Sequence, residues 1–263
     1  MLSYEALIRD LGDEQADLDG VVADLDATGW ATPTPAAGWD VRDTIAHLAF
    51  SEDLAVLAMT DEGTFETRRG ELIAVAETVG DVMVERGRAM TGVEVRDWWR
   101  GQRAQTRCLL AARDAKDRIP WIVGTMSAMS FATGRLMETW AHGEDIAEAL
   151  AVERPPTTRL RHIADLGVRT RDFSYRVRGT EPPGEDITVE LAAPDGTAWS
   201  WGTSATDAVR GPARDFCLVV TRRRHPDDTT LAVTGARAAQ WMEIAQAFAG
   251  LPADQRPRRA EVG

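Results

Sequence analysis

Pro155 and Pro156 cut this chain into two stretches whose apolar residues repeat with different periods, and that break limits what it can fold into more than any other feature. Consecutive prolines stop a helix and force extended backbone before them. Ahead of them the pattern is helical. Ser3 is placed to cap a first helix, along which Leu7, Ile8, Leu11, Leu18, Val21, Val22 and Leu25 fall at helical spacing. A turn-rich run, Thr32 to Gly38, follows. Asp40 then reads as an N-cap, with Asp43 as a short capping box, of a helix to about Met59. A third helix is expected over 65–88 and a fourth from about Val95 to Asp114. After the Ile119-Pro120-Trp121 break, Ser127 caps a last helix to Val152. Four main helices predict an up-and-down bundle over residues 1–153.

Beyond the prolines, residues 154–263 read as a small α+β domain. A helix is expected over 158–174. Ile187 to Leu191 alternates like a strand, Asp195-Gly196 is a hairpin turn, and Ala198 to Gly202 returns as a second strand. A helix over 206–221, a strand from Thr230 to Val233 and a helix from Ala236 to Phe248 complete the pattern. The tail, Pro252 to Gly263, is polar and reads as loose.

Charge and cysteine content exclude several classes. A formal net charge of −12 argues against nucleic acid or an anionic membrane as the main partner, and the local cluster Arg222, Arg223, Arg224 does not reverse it. Two cysteines, Cys108 and Cys217, stand far apart, so there is no thiolate zinc cluster and no disulfide framework. Both read as buried apolar residues. With no signal-like N-terminus and no long apolar run, a cytoplasmic protein acting on a small molecule, as monomer or homodimer, is expected.

The segment Glu138-Thr139-Trp140-Ala141-His142-Gly143-Glu144-Asp145 carries the sharpest chemical signal. Glu138 and His142 are one helical turn apart, so a carboxylate and an imidazole can reach a single cation. Asp145, three residues further, can accept a hydrogen bond from the other imidazole nitrogen or be a ligand itself. The other histidine of the helical half is His47, in an apolar stretch of the second helix. Two histidines and a glutamate with an open position form a catalytic zinc set, and nickel, cobalt, iron or manganese suit the same donors. On spacing alone, a surface contact is the plainer reading of the Glu138–His142 pair, and His47 reads equally as a hydrogen-bonded core histidine. Glu52, Asp53, Glu144 and Asp145 are candidate general bases, with solvent-exposed charge as the plainer reading of each. Trp98, Trp99, Trp199 and Trp201 read mainly as core, and Met126, Met129 and Met137 as an apolar wall.

Gly38-Trp39-Asp40-Val41-Arg42-Asp43-Thr44-Ile45-Ala46-His47-Leu48 resembles the N-terminal signature of the mycothiol-dependent maleylpyruvate isomerase family, within the DinB-like metal-binding bundles. Glu138 to Asp145 resembles its second signature. The resemblance implies His47, Glu138 and His142 as metal ligands, with Asp145 supporting. The second half is similar, more weakly, to the family's sterol-carrier-like α+β domain through Arg210 to Arg222, which implies Arg222 as a substrate contact. The excess of arginine over lysine suits a GC-rich, actinobacterial-type genome. The implied activity is a metal-dependent isomerase or thiol transferase that uses a low-molecular-weight thiol such as mycothiol on an electrophilic metabolite. The alternatives are a thiol-independent hydrolase, lyase or isomerase, and a non-catalytic metal-binding carrier module.

Overall fold

Side-chain caps set where the long helices begin. In the computed structural model, which describes residues 3–76 and 78–258, α1 (Tyr4–Val22) starts where Ser3 accepts a hydrogen bond from the Ala6 amide. Asp26 caps the short α2 (Ala27–Trp30). Asp40 caps α3 (Val41–Thr60) by accepting from the Asp43 amide. The Asp43 carboxylate does not close the expected capping box; it pairs with Arg88 at 3.1 Å instead. Then come α4 (Glu62–Ala74) and α5 (Val79–Arg88). Thr91 and Glu94 form a reciprocal capping box on α6 (Gly92–Ala111). A hairpin of β1 (Arg118–Trp121) and β2 (Gly124–Ser127) leads into α7 (Ala128–Ala149), capped by Ser127.

The chain divides into two compact units, Met1–Arg154 and Pro155–Gly263. In the first, α3 packs against α6, α7, α4 and α5, and α1 packs against α7 and α6. Leu18, Val22, Ile45, Leu48, Ala49, Val95, Trp99 and Ile146 share one core, contributed by all four long helices. Helix α7 is buried on nearly every side, as a central helix must be.

The single helix expected over 65–88 is two, α4 and α5, broken at Val75. The break lets Phe65 and Leu72 on one segment, and Val84 and Gly87 on the other, each turn inward; both segments pack against α3. Gly87 meets α3 so closely that an added Cβ would collide with the Cβ of Ala46, next to His47. Gly87→Ala is therefore expected to destabilise by about 1–2 kcal/mol in urea unfolding, overpacking outweighing the gain in helix propensity.

The second unit carries α8 (Leu160–Arg169), α9 (Arg171–Arg176), β3 (Thr188–Ala192), β4 (Ala198–Trp201), β5 (Ala208–Pro212), α10 (Ala213–Val220), β6 (Ala232–Thr234) and α11 (Ala236–Ile244). The sheet order is β4-β3-β5-β6, with β3 and β5 parallel and the outer pairs antiparallel. The expected 206–221 helix is half strand: β5 occupies its first part and ends at Gly211-Pro212, and α10 follows. Asp207, buried just before β5, accepts from the Arg237 amide and so ties the start of α11 to the sheet. Phe216 and Trp241 meet edge-on at 5.8 Å in the core. Trp199 and Trp201 are only half-buried; the Arg161 guanidinium covers both rings, at 5.2 and 4.2 Å. Of the polar tail, residues 259–263 lie outside the described residues.

Candidate metal centre

Helices α3 and α7 lie against each other in the first unit, and their facing sides carry the three expected ligands. One donor atom from each of His47, Glu138 and His142 lies within 4.8 Å of the others. His142 Nε2 is 3.4 Å from Glu138 Oε2, and His47 Nε2 is 3.8 Å from the same oxygen. The imidazole centroids are 4.6 Å apart. The three side chains keep 14, 21 and 10% of their surface exposed, so the group opens to solvent on one side.

Local structure brings the groups together. Glu138 and His142 are a turn apart on α7. His47 is held by α3, whose start is fixed by a tight loop: Pro33 bridges Asp40, the Thr34 amide donates to Trp39 O at 2.8 Å, and Gly38 takes φ +79°. That loop sets Trp39 beside both imidazoles, 5.1 Å from His47 and stacked at 6.1 Å on His142.

The electrostatics suit a cation. Burial pushes the His47 imidazole down to about 4, so it is neutral near pH 7 with a lone pair to give. Burial also opposes ionisation of Glu138, but the two imidazoles on its carboxylate and the charge of Arg135 outweigh burial and hold it well below the ordinary value. Asp145, buried, sits 3.4 Å from His142 Nδ1, where it can accept that proton and leave Nε2 facing Glu138. His47 Nδ1 is buried and has no hydrogen-bond partner among the described residues. Two imidazoles and an ionised carboxylate converging on one point match the donor chemistry of a divalent metal.

The remaining candidates sit elsewhere. Glu52 and Glu144, like Asp145 beside His142, are buried, not solvent-exposed, because α3 and α7 are covered on almost all sides. Glu144 pairs with Arg154 at 3.1 Å. Asp53 accepts from Trp98 Nε1 at 3.0 Å and lines a groove of about 710 Å³, together with Phe50, Leu54, Leu57 and Arg86, that includes none of the three ligands. Arg222 belongs to the second unit. It is the residue of the arginine triplet with left-handed backbone, φ +60°, and it is buried, donating to Glu243 O at 2.9 Å. Burial, with Arg178 nearby, lowers it to about 10. Cys108 is exposed, against expectation, and Cys217 is buried. Met137 is buried in α7, whereas Met126 and Met129 are half-buried. Two neighbours of the centre escaped the sequence reading: Trp39 and Arg135. Arg135 is three residues before Glu138 on the same helical face, a spacing that could have drawn attention to it.

Residues 11–147 match the profile of the mycothiol maleylpyruvate isomerase N-terminal domain family. The chain belongs to this family. Two uncharacterised proteins of Mycobacterium tuberculosis, from strains CDC 1551 / Oshkosh and H37Rv, are each 46% identical over 248 residues, covering 93% of this chain and 96% of theirs. The crystal structure of the mycothiol-dependent maleylpyruvate isomerase superposes with a TM-score of 0.60 at 17% identity, over 90% of this chain and 94% of that one. A histidine-to-alanine mutant of that enzyme gives 0.59 over the same shares. The chain therefore has the fold of the maleylpyruvate isomerase, a helical domain followed by an α+β domain. Among the described residues no helix is long and apolar enough to cross a membrane.

Proposed function

We propose that this family member is a metal-dependent enzyme in which His47, Glu138 and His142 hold one divalent cation, zinc before nickel, cobalt, iron or manganese. Its work would be isomerisation of, or thiol transfer to, a small electrophilic metabolite, with mycothiol or a similar thiol as cosubstrate. The observation that carries this is the convergence of three ligand atoms within 4.8 Å, open on one side. The thiol comes from family membership and from the named activity of the isomerase that shares the fold.

A cation held there supplies Lewis-acid chemistry, lowering the pKa of a thiol or water that it binds. The chain's own residues do the rest. Glu138 contributes the negative charge and His47 a neutral lone pair. Asp145 keeps the His142 proton on Nδ1 and fixes the ring. Trp39 walls the imidazoles on one side and keeps water from that face. Arg222 stays in this reading as a contact for an anionic substrate, on the likeness of the Arg210 to Arg222 stretch alone.

Asp145→Asn is expected to lower metal affinity by roughly 10–100-fold without abolishing it, as measured by competition with a chromophoric chelator. Thiol use is tested by thermal melting of zinc-loaded protein. Mycothiol near 100 times its Kd should stabilise by about 2.7 kcal/mol, and Glu138→Gln should not respond. No response in the zinc-loaded wild type would count against thiol chemistry and favour a water-based reaction.

A further inference from the structure

Arg135 makes no hydrogen bond and no ion pair through its guanidinium among the described residues, yet only 6% of the residue is exposed. That is unusual. Buried arginines are paired, because an uncompensated buried charge is costly. Arg154 in the same unit obeys the rule, pairing with Glu14 and Glu144. Arg135 has a ring contact instead: its guanidinium carbon lies 5.1 Å from the centroid of Trp121. Trp121 is itself fixed by Phe131, edge-on at 4.9 Å, and by Phe65, stacked at 6.1 Å.

The direction of the side chain follows from the helix. Side chains on a helix lean toward its N-terminus, and Arg135 leans from the Glu138 face toward the β1 hairpin that carries Trp121. Arg135 stands about one helical turn before Glu138 on α7, on the same face, and among the described residues its guanidinium pairs with none of Glu138, His47 and Glu52. A guanidinium held against Trp121, with no hydrogen-bond or ion-pair partner among the described residues, is carried on the helical face that also bears Glu138.

We propose that Arg135 is the anion-binding arm of this centre. It takes a carboxylate on the small molecule whose other end reaches the metal position. This rests on the metal reading above, in which Glu138 is committed to the cation and leaves the Arg135 charge to an incoming anion. The planar fork of a guanidinium matches the two oxygens of a carboxylate, and the low-dielectric surroundings strengthen that pair. The substrate class narrows accordingly, to small molecules that carry a carboxylate a few bonds from the group that reaches the metal.

The test uses full-length protein loaded with cobalt, whose visible absorption reports thiol binding without any assumption about the reaction. The probes are 3-mercaptopropionate and its neutral amide, which share a thiol and differ in charge. Wild type should bind the carboxylate at least about tenfold more tightly than the amide. Arg135→Gln, once loaded with cobalt, should lose that preference, and Arg135→Lys should keep part of it. Equal binding of the two probes by wild type would overturn the proposal without any variant. So would a preference unchanged in a cobalt-loaded Arg135→Gln. Wild-type protein that takes up no cobalt would overturn the metal reading and this proposal with it, an outcome distinct from the other two.

Discussion

Glu138→Gln and His47→Ala are each expected to lose metal, with affinity falling by more than about 100-fold in a chelator competition. Replacing an outer partner of a metal ligand costs about 10–100-fold, and losing one of three ligands must exceed that. The two variants act differently. Glu138→Gln keeps the shape of the side chain but removes the charge that His47 and His142 both face. His47→Ala removes the ligand from α3 and leaves Glu138 and His142 together on α7. Near-wild-type affinity in both would sink the ligand assignment. Loss in one alone would assign the site to a different third ligand.

Arg154→Ala is expected to destabilise the first unit by about 3–5 kcal/mol in urea unfolding. Arg154 pairs with Glu14 on α1 and with Glu144 on α7, and all three are buried. It also donates to Trp140 O at 3.3 Å and fills the space beside Gly143, where a Cβ would come within 2.6 Å of its guanidinium. The same residue therefore joins α1 to α7 and braces the turn of α7 that carries His142. Removing it takes a cation from two buried carboxylates at once. A loss below about 1 kcal/mol, the range of surface pairs, would mean that the pairing contributes little.

Helix starts were legible because the chain spells them in side chains. Ser3, Asp40 and Ser127 each accept from an amide three residues on, where the sequence placed a cap. The short elements were not. β5 offers only Ala208 and Val209 as buried residues, and it pairs in parallel with β3, from which β4 separates it in the chain. No local period announces such a pairing. The β1–β2 hairpin hid in what read as a proline break.

The ligand group was legible in part. A turn's separation of Glu138 from His142 is a statement about one helix and needs no fold. Bringing His47 to them is a statement about two helices, and the resemblance of the Gly38 to Leu48 stretch supplied what spacing could not. Burial was misread for Glu52, Glu144 and Asp145, because a carboxylate in sequence looks solvated until the helix around it is seen to be enclosed. Arg135 shows the same limit from the other side. Its position on the Glu138 face was readable, but only the fold reveals that its charge goes unpaired.

X-ray absorption at the zinc edge tests the central claim most directly. On zinc-loaded protein it should show two imidazoles and one carboxylate oxygen at about 2.0–2.2 Å, with a sulfur scatterer near about 2.3 Å appearing when mycothiol is added. A shell without imidazole scattering would contradict the ligand assignment, and one that mycothiol leaves unchanged would contradict the thiol chemistry.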